Sequence, residues 1–431
     1  MSDAVSFDAL EVAAEAEVVV VGGGPGGLCA AVAAAEEGAD TLLIERYGFL
    51  GGMATAGLVN PFMTWHAGGK PIIRGLFERI IERLDDYGGW AGPRQGSAFD
   101  DELLKLVADD LCEEADVRLR LHTMLAHVDT RDGRVSRIAT LSKSGLQQVK
   151  GEVFIDATGD GDLAARAGAE VEIGREEDGL CQPMTLCFRM VNVDLDRVPS
   201  RGDITELYDA ARERGEIDNP RENVLFFFTT HENEVHLNTT RIVKHDPTNA
   251  EDMTHAELQA RRQVREMVRF LTREVSGFEE AWLQEIAPQI GVRESRRVMG
   301  DYVLTTEDVL AARTFDDGIA RGSYCVDIHN PAGSGTVIKR LPPGEAYDIP
   351  YRCLTPRGFE NLLIAARCVS CDHGAHSSLR VMPIVMAIGE AAGCAAQMAL
   401  ATGDVRAVDA DQLRLRLHQR GASIHGLSDE R

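Results

Sequence analysis

A run of four valines followed by a glycine-rich turn constrains the fold of this 431-residue chain more than any other feature. Val18–Val21 predict a buried β-strand, and the residues after the turn predict a helix to about Glu37. Gly22, Gly24 and Gly27 have the spacing at which a strand turns into a helix beneath a dinucleotide pyrophosphate. The N-terminus of that helix would offer backbone N–H groups to the phosphates.

A second strand and an acidic residue follow the turn at the distance that a nucleotide site requires. Residues 39–45 read as a strand that ends in Glu45, which is 23 residues after Gly22. A carboxylate at that distance accepts hydrogen bonds from the ribose hydroxyls of an adenosine. The two elements together predict an α/β fold with a Rossmann-like nucleotide site. On these residues alone, a glycine-rich turn in an unrelated α/β domain stays open as the alternative.

Charge and cysteine content limit the partners and the compartment. The formal net charge is −24 and the pI is about 4.9, which disfavours binding to nucleic acid or to an anionic membrane. The first 17 residues contain five acidic side chains and no lysine or arginine, unlike a secretory or mitochondrial signal. The sequence contains no run of about 18 apolar residues, so no membrane span is expected. Nine scattered cysteines fit reduced thiols, so we expect a cytoplasmic protein.

The hydrophobic pattern divides the chain into two regions. Strand patterns with glycine-rich turns occupy residues 17–174 and return at 351–405, so we expect one discontinuous nucleotide-binding domain. Residues 175–350 mix strand patterns, a long amphipathic helix and polar loops, which predicts a mixed α+β substrate or cap domain. Residues 1–16 are expected to form a loose leader, and residues 406–431 a C-terminal helix and tail.

Two helix starts are predicted inside the second region. Thr254 with Glu257, and Thr305 with Asp308, have the spacing of a capping box, in which two side chains satisfy the first backbone N–H groups of a helix. The first of these helices should continue to about Glu274.

Further motifs occur in order along the chain. They are Gly51–Gly57, Asp156–Asp162, Gly291–Arg297, Ile349–Leu354 and Asn361–Gly393. Together with the glycine turn, they resemble the FAD-dependent oxidoreductase family that carries Gly-Gly-Met-Ala-Thr after the second strand, over about residues 17–400. The resemblance implies a glutathione-reductase-type FAD-binding domain with FAD as the cofactor. The family is functionally diverse, so the substrate does not follow from it.

The same resemblance implies which residues contact FAD. Gly22, Gly24 and Gly27 would lie under the pyrophosphate, with Glu45 and Arg46 at the adenosine and Gly51, Gly52 and Thr55 on the other side of the dinucleotide. Met124 and Leu125 would offer main-chain contacts to adenine, Thr158, Gly159 and Asp160 would border the cofactor, and Arg367 would approach the phosphates. Met382 and Pro383 begin a helix whose N-terminus would point at the flavin ring.

Flavin chemistry often needs a base, and histidine has the appropriate pKa. His329 lies in a polar loop of the second region, and His373 lies between the last strand and the last helix, where the family pattern has a histidine. His66 follows the second glycine-rich loop and is a weaker candidate. For each, a histidine that only bonds the backbone is the alternative. Arg380, directly before the last helix, is the expected substrate-side arginine, so the candidate catalytic residues are His329, His373 and Arg380.

Two other groups leave alternatives open. The arginines of Arg293–Arg297 could bind a substrate carboxylate, or they could form a salt-bridge network with Glu294. Cys368 and Cys371 form a C-x-x-C motif, which can hold a redox-active disulfide. The motif lies far downstream of the position that flavin disulfide reductases use, so two ordinary thiols are the better interpretation. No cysteine or histidine pair has zinc-ligand spacing, and no metal is expected.

These observations predict an FAD enzyme that oxidises a small organic substrate by hydride transfer to flavin N5. The alternatives are a flavin-dependent hydroxylase or monooxygenase and a non-catalytic dinucleotide-fold binding protein. Only one dinucleotide fingerprint is present, so the expected electron acceptor is oxygen, a quinone or a carrier. Homo-oligomerisation stays open, as does covalent attachment of the flavin.

Overall fold

The valine run forms the central strand of a mixed sheet, around which the rest of the chain packs. The computed structural model describes residues 6–92 and 96–427. The strands are β1 (Val12–Val21), β2 (Thr41–Ile44), β3 (His66–Ala67), β4 (Lys70–Pro71), β5 (Arg118–Arg120), β6 (Met124–Arg131), β7 (Arg134–Ser142), β8 (Gly145–Asp156), β9 (Val171–Ile173), β10 (Phe188–Val191), β11 (Phe226–Phe228), β12 (Glu234–Leu237), β13 (Trp282–Ile286), β14 (Arg296–Val298), β15 (Gly318–Gly322), β16 (Val326–His329), β17 (Thr336–Lys339), β18 (Tyr347–Pro350) and β19 (Leu362–Ile364). The helices are α1 (Pro25–Glu36), α2 (Leu76–Asp86), α3 (Asp101–Glu114), α4 (Asp162–Ala167), α5 (Arg201–Glu213), α6 (Ala250–Glu274), α7 (Thr306–Leu310), α8 (His373–Leu379), α9 (Met382–Ala399) and α10 (Ala410–Gln419).

The large sheet has the strand order β5-β2-β1-β8-β7-β6, and β19 pairs with the C-terminal part of β8. Strands β5, β2, β1, β8 and β19 run parallel to one another, whereas β7 is antiparallel to both of its neighbours, β8 and β6. Parallel strands end at one edge of a sheet, so the loops after β1, β2, β8 and β19 meet there. The α/β fold with a Rossmann-like parallel core is therefore confirmed, and its topology gathers the glycine-rich loops.

Helix α9 packs directly against α1 because small residues line the contact. A Cβ on Gly389 would lie 2.1 Å from the carbonyl oxygen of Gly26, and one on Gly393 would lie 2.2 Å from that of Ala30. Because both contacts advance along the two helices in the same order, the two helices run in the same direction. Helix α9 begins seven residues before Gly389, which places its N-terminus about 10 Å beyond that of α1. By length and composition α9 could cross a membrane, but 83% of it is buried inside the protein.

A second core lies beside the first. Strands β10 to β13 form an antiparallel sheet in the order β11-β12-β10-β13, and α5 and α6 cover it with buried residues such as Tyr208, Val264 and Met267. This core contains residues from 184 to 292, together with Leu58.

The predicted boundaries of the second region differ from this arrangement. Val298, Ile319 and Tyr347 belong to the first core, because β14 pairs with β9 and the β15–β18 pair packs near α9. Residues 298–350, predicted to lie in the substrate domain, therefore extend the nucleotide-binding body. The predicted leader also contains structure, since β1 starts at Val12; residues 1–5 lie outside the described part of the chain.

The two predicted helix starts have different outcomes. The Thr305–Asp308 capping box is present at the start of α7, with Thr305 Oγ1 accepting from the Asp308 N–H. The prediction at Thr254 is wrong, because α6 begins at Ala250, capped by Asn249. Helix α10 forms within the predicted C-terminal segment, of which residues 428–431 lie outside the described ranges.

Candidate active site

A cavity of about 560 Å³ lies where the parallel strands of the large sheet end. One wall comes from the nucleotide-binding loops: Gly22, Gly24–Gly26, Glu45–Tyr47, Gly52, Met53, Ala157–Gly159, Ala366, Arg367 and the start of α9. The other wall comes from the second core and the β16 segment, including Thr185, Arg221, Glu222, Asn238, Arg293, Tyr324, Asp327 and His329. The cavity thus joins the predicted cofactor loops to a polar wall.

The glycine turn forms a cradle with open space in front of it. Gly22 has φ +104°, and a Cβ there would lie 2.4 Å from the Ala157 carbonyl oxygen. A Cβ on Gly27 would lie 1.8 Å from the Gly22 carbonyl oxygen, so this glycine permits the close helix–strand contact. At Gly24 the nearest atom to an added Cβ, on Gly52, is 3.9 Å away. The space before the N-terminus of α1 therefore fits a pyrophosphate group.

The second glycine-rich loop packs directly on the first. The Gly51 N–H donates to the Gly23 carbonyl oxygen at 2.8 Å, and Gly52 lines the cavity. Thr55 is buried, and its Oγ1 donates to the Leu50 carbonyl oxygen at 2.8 Å. Gly51 and Thr55, both predicted to line the dinucleotide, instead hold the loop in place behind the cavity wall.

Glu45 lines the end of the cavity at which adenosine is predicted to bind. Its carboxylate accepts from the Gly23 N–H at 2.6 Å and from the Tyr47 N–H at 2.9 Å, while lining the cavity. Each oxygen keeps a lone pair for a ribose hydroxyl. Arg46 donates to Gln289 Oε1 at 2.6 Å, and its side chain borders the same end.

Met124 and Leu125, predicted to contact adenine, do not line the cavity. Met124 is 54% exposed on the outer strand of the antiparallel ribbon. The preceding Thr123 donates its N–H to the Glu45 carbonyl oxygen at 2.9 Å. The backbone before β6 therefore contacts Glu45 through Thr123, one residue earlier than the predicted positions.

The turn after β8 contributes two of its three predicted residues. Thr158 and Gly159 line the cavity, whereas Asp160 accepts from Ser295 and pairs with Arg367 outside the lining. Arg367 lines the cavity, and its buried Nε has no hydrogen-bond partner within the described residues. An orphaned guanidinium N–H beside the glycine cradle fits a phosphate oxygen.

The start of α9 forms the opposite end of the site. Met382 and the N-cap Val381 line the cavity, whereas Pro383 is buried behind them. Because α9 projects beyond α1, its positive end lies past the pyrophosphate cradle. Arg380 precedes it, with Nη2 3.9 Å from Asp327 Oδ2 and a buried Nε that has no partner among the described residues.

His329 is in the polar wall, but both of its ring nitrogens are engaged. Its Nδ1 accepts from Arg241 Nη2 at 3.0 Å, which leaves the proton on Nε2, 3.4 Å from Asp327 Oδ2. Burial and the nearby positive charge of Arg293 lower the pKa of His329 to about 3, despite the opposing effect of Asp327. His329 is thus a neutral bridge between an arginine and a carboxylate.

Asp327 and Tyr324 were not singled out from the sequence. Asp327 accepts from Tyr324 Oη at 2.9 Å. Although burial opposes ionisation, contacts from His329 and the charge of Arg380 hold the pKa of Asp327 well below its usual range. The polar loop that contains His329 also contains Asp327, so the sequence could have indicated Asp327 as a site residue. Nothing in the local sequence distinguishes Arg221 from an ordinary surface arginine.

His373 lies outside the cavity. Its Nδ1 is 2.8 Å from Glu294 Oε1, and the same oxygen accepts from Arg297 Nη1 at 2.8 Å. The predicted catalytic position of His373 therefore differs from its place in the structure, where it belongs to a buried ion-pair network. Arg296 pairs with Asp162, so only Arg293 of the predicted arginine group faces the cavity.

Three other candidate groups also lie away from the cavity. His66 is on a short edge strand and does not line it. Cys368 and Cys371 are buried free thiols whose pKa values are raised by burial. Asp101, Glu102 and Glu285 bring carboxylate oxygens within 4.8 Å of one another, but Arg189 pairs with the first and third of them.

The family model described as FAD dependent oxidoreductase matches residues 17–417. No curated protein matches the sequence. A geranylgeranyl bacteriochlorophyll reductase-like protein from Thermoplasma acidophilum is similar at 15% identity, covering 94% of this chain and 84% of that one, with a TM-score of 0.48. A triple mutant of a flavin-dependent brominase is similar at 14% identity, with 94% and 84% covered and a TM-score of 0.45. A myxobacterial chondrochloren halogenase is similar at 13% identity, with 94% and 79% covered and a TM-score of 0.44.

Proposed function

The chain belongs to the FAD-dependent oxidoreductase family and uses FAD as its cofactor, and we propose that it oxidises a small organic molecule by hydride transfer to the flavin. The observation that carries this proposal is one continuous cavity that runs from the glycine cradle, past the start of α9, to a wall of charged side chains. FAD bound along the nucleotide-binding loops as far as the start of α9 would leave that charged wall free for a substrate.

Distinct residues would hold each part of FAD. The backbone of Gly22 and Gly24 would face the pyrophosphate, Glu45 would accept from the ribose, and Met382 would border the ring. When bound, FAD supplies a hydride acceptor at N5. The N-terminus of α9 offers positive dipole character, which stabilises negative charge close to its first turn.

The charged wall would bind and orient the substrate. Arg293 and Arg380 present guanidinium groups to the cavity, while Asp327 holds Tyr324 and His329 in fixed orientations. His329 positions these neighbours in its neutral form, with its free lone pair already used by Arg241. Oxygen, a quinone or an electron carrier would then reoxidise the flavin.

The test combines a spectrum with anaerobic mixing. The purified protein should be yellow, with flavin absorbance near about 450 nm. Bleaching by an organic substrate without a nicotinamide cofactor supports the proposed oxidation. Bleaching only by NAD(P)H supports the hydroxylase instead, and a colourless protein that gains no spectrum with added FAD refutes both.

A further inference from the structure

Four arginines lie close together at the flavin end of the cavity, and we call them the arginine cluster: Arg221, Arg241, Arg293 and Arg380. Three of them line the cavity, and Arg241 is buried behind the wall. Arg380 is two residues before Met382, so the cluster adjoins the start of α9 rather than the pyrophosphate cradle.

The carboxylates of this wall do not balance the cluster. Arg241 pairs with Glu222 at 3.1 Å, and Arg380 lies 3.9 Å from Asp327. Across residues 6–92 and 96–427, the other two arginines have no carboxylate within ion-pair distance. Two formal positive charges are therefore left without an anionic partner beside the cavity.

The hydrogen-bond partners of these two side chains are neutral, so they do not balance the charge. Arg293 donates from Nη1 to the Pro183 carbonyl oxygen at 2.6 Å and to Thr185 Oγ1 at 2.5 Å, and from Nη2 to Asn238 Oδ1 at 3.4 Å, all of them uncharged acceptors. Arg221 donates from Nε to Asn223 Oδ1 at 3.2 Å, and its buried Nη1 has no partner in the described structure. Arg221 is 5% exposed, so water reaches it poorly.

Keeping these charges together is electrostatically unfavourable in the absence of an anion. Burial and the charges of Arg380, Arg221 and Arg241 lower the pKa of Arg293 to about 9. An anion bound among the guanidinium groups would offset both effects, because charge-assisted hydrogen bonds to arginine are strong and directional.

We propose that the substrate is a carboxylate whose two oxygens bind Arg221, Arg293 and Arg380, an inference that rests on the oxidation proposed above. Within the arginine cluster, two buried guanidinium nitrogens, Arg221 Nη1 and Arg380 Nε, lack partners among the described residues, and each can donate to one oxygen of a carboxylate. The carbon next to the carboxylate would then lie at the flavin end of the cavity.

Calorimetric titration of the FAD-loaded protein tests the inference with probes that are not oxidised. The probes are benzoate, neutral benzamide and inorganic phosphate at one ionic strength. Benzoate should bind at least about tenfold more tightly than benzamide. The R293M variant should weaken benzoate binding by about tenfold or more, and R293K should lie between it and the wild type.

A matched control removes the same charge elsewhere. Arg131 has a 69% exposed side chain at the end of β6, and R131M should bind benzoate as the wild type does. The flavin spectrum of each variant reports whether FAD is bound in a folded site.

Several results overturn the inference. These are equal affinities for benzoate and benzamide, wild-type affinity in R293M, or tighter binding of phosphate than of benzoate. Wild-type benzoate binding together with an altered flavin reduction potential in R293M would assign the cluster to the cofactor. A yellow protein without carboxylate affinity refutes this inference alone, whereas a protein that binds no FAD refutes the proposed function.

Discussion

Alanine at Gly27 should destabilise the protein, whereas alanine at Gly24 should leave folding intact and weaken FAD binding. At Gly27 the new Cβ would lie 1.8 Å from the Gly22 carbonyl oxygen and 2.9 Å from the Ala157 Cβ. Neither neighbour can rotate away, so α1 must shift from the sheet, at a cost of about 1–3 kcal/mol. At Gly24 the backbone has φ −70° and ψ −175°, which alanine adopts without strain.

The Gly24 methyl would occupy the cradle instead of the protein interior. Its nearest atom in the protein is 3.9 Å away, so the stability of the apoprotein should change by less than about 0.5 kcal/mol. The pyrophosphate must withdraw from the backbone by the radius of a methyl group. We therefore expect at least about a tenfold loss of FAD affinity, equivalent to about 1.4 kcal/mol.

Urea unfolding of the apoproteins and fluorescence titration with FAD separate the two effects. G27A should unfold at lower urea concentration, and G24A should match the wild type in unfolding but not in FAD binding. Wild-type FAD affinity in G24A would show that the pyrophosphate does not approach this turn, and the assignment of the cradle would be refuted.

Three further results follow from the polar wall and the buried thiols. D327N should lose about 1–3 kcal/mol of unfolding free energy near neutral pH, because Asp327 accepts from Tyr324 Oη and lies 3.4 Å from His329 Nε2. Since the pKa of Asp327 is lowered in the folded state, the wild type keeps this stability above about pH 4 and loses it only as the pH falls further. If urea unfolding showed that the stability difference between the wild type and D327N disappears between about pH 5 and 7, the lowered pKa of Asp327 would be contradicted. His329, with a pKa of about 3, should stay neutral from about pH 5 to 8, so H329N should not change the shape of the pH profile of flavin reduction. If the wild-type profile had an inflection at about pH 6.5 that H329N lost, this prediction would be contradicted. Dithionite should deliver two electrons per FAD, and uptake of four would reveal a redox-active Cys368–Cys371 pair.

The nucleotide-binding half of the fold could be predicted because local sequence determines it. The valine run predicts a buried strand, and the Gly22–Gly27 spacing predicts the turn into a helix, both from residues that are adjacent in the sequence. The loops after parallel strands then meet by topology, which brings Glu45 and Thr158 to one cavity. Gly51 and Thr55 were placed in the correct loop, but the sequence does not show which side of that loop faces the cofactor.

The substrate side could not be predicted in the same way, because it depends on contacts between distant segments. Arg221, Arg293 and Asp327 come from three parts of the chain and meet only through tertiary packing. His373 has the family position but turns toward Glu294, a partner 79 residues away. The boundary at residue 350 was misplaced because the pairing of β15 with β18 depends on packing near α9, which strand patterns do not reveal.

A crystal structure of the FAD-loaded protein tests the account most directly. We predict the pyrophosphate against Gly22 and Gly24, and the flavin ring beside Met382, with one face open toward Arg293 and Arg380. An FAD phosphate bound to Arg293, or a ring located away from the start of α9, would contradict both the cofactor assignment of the cavity and its substrate side.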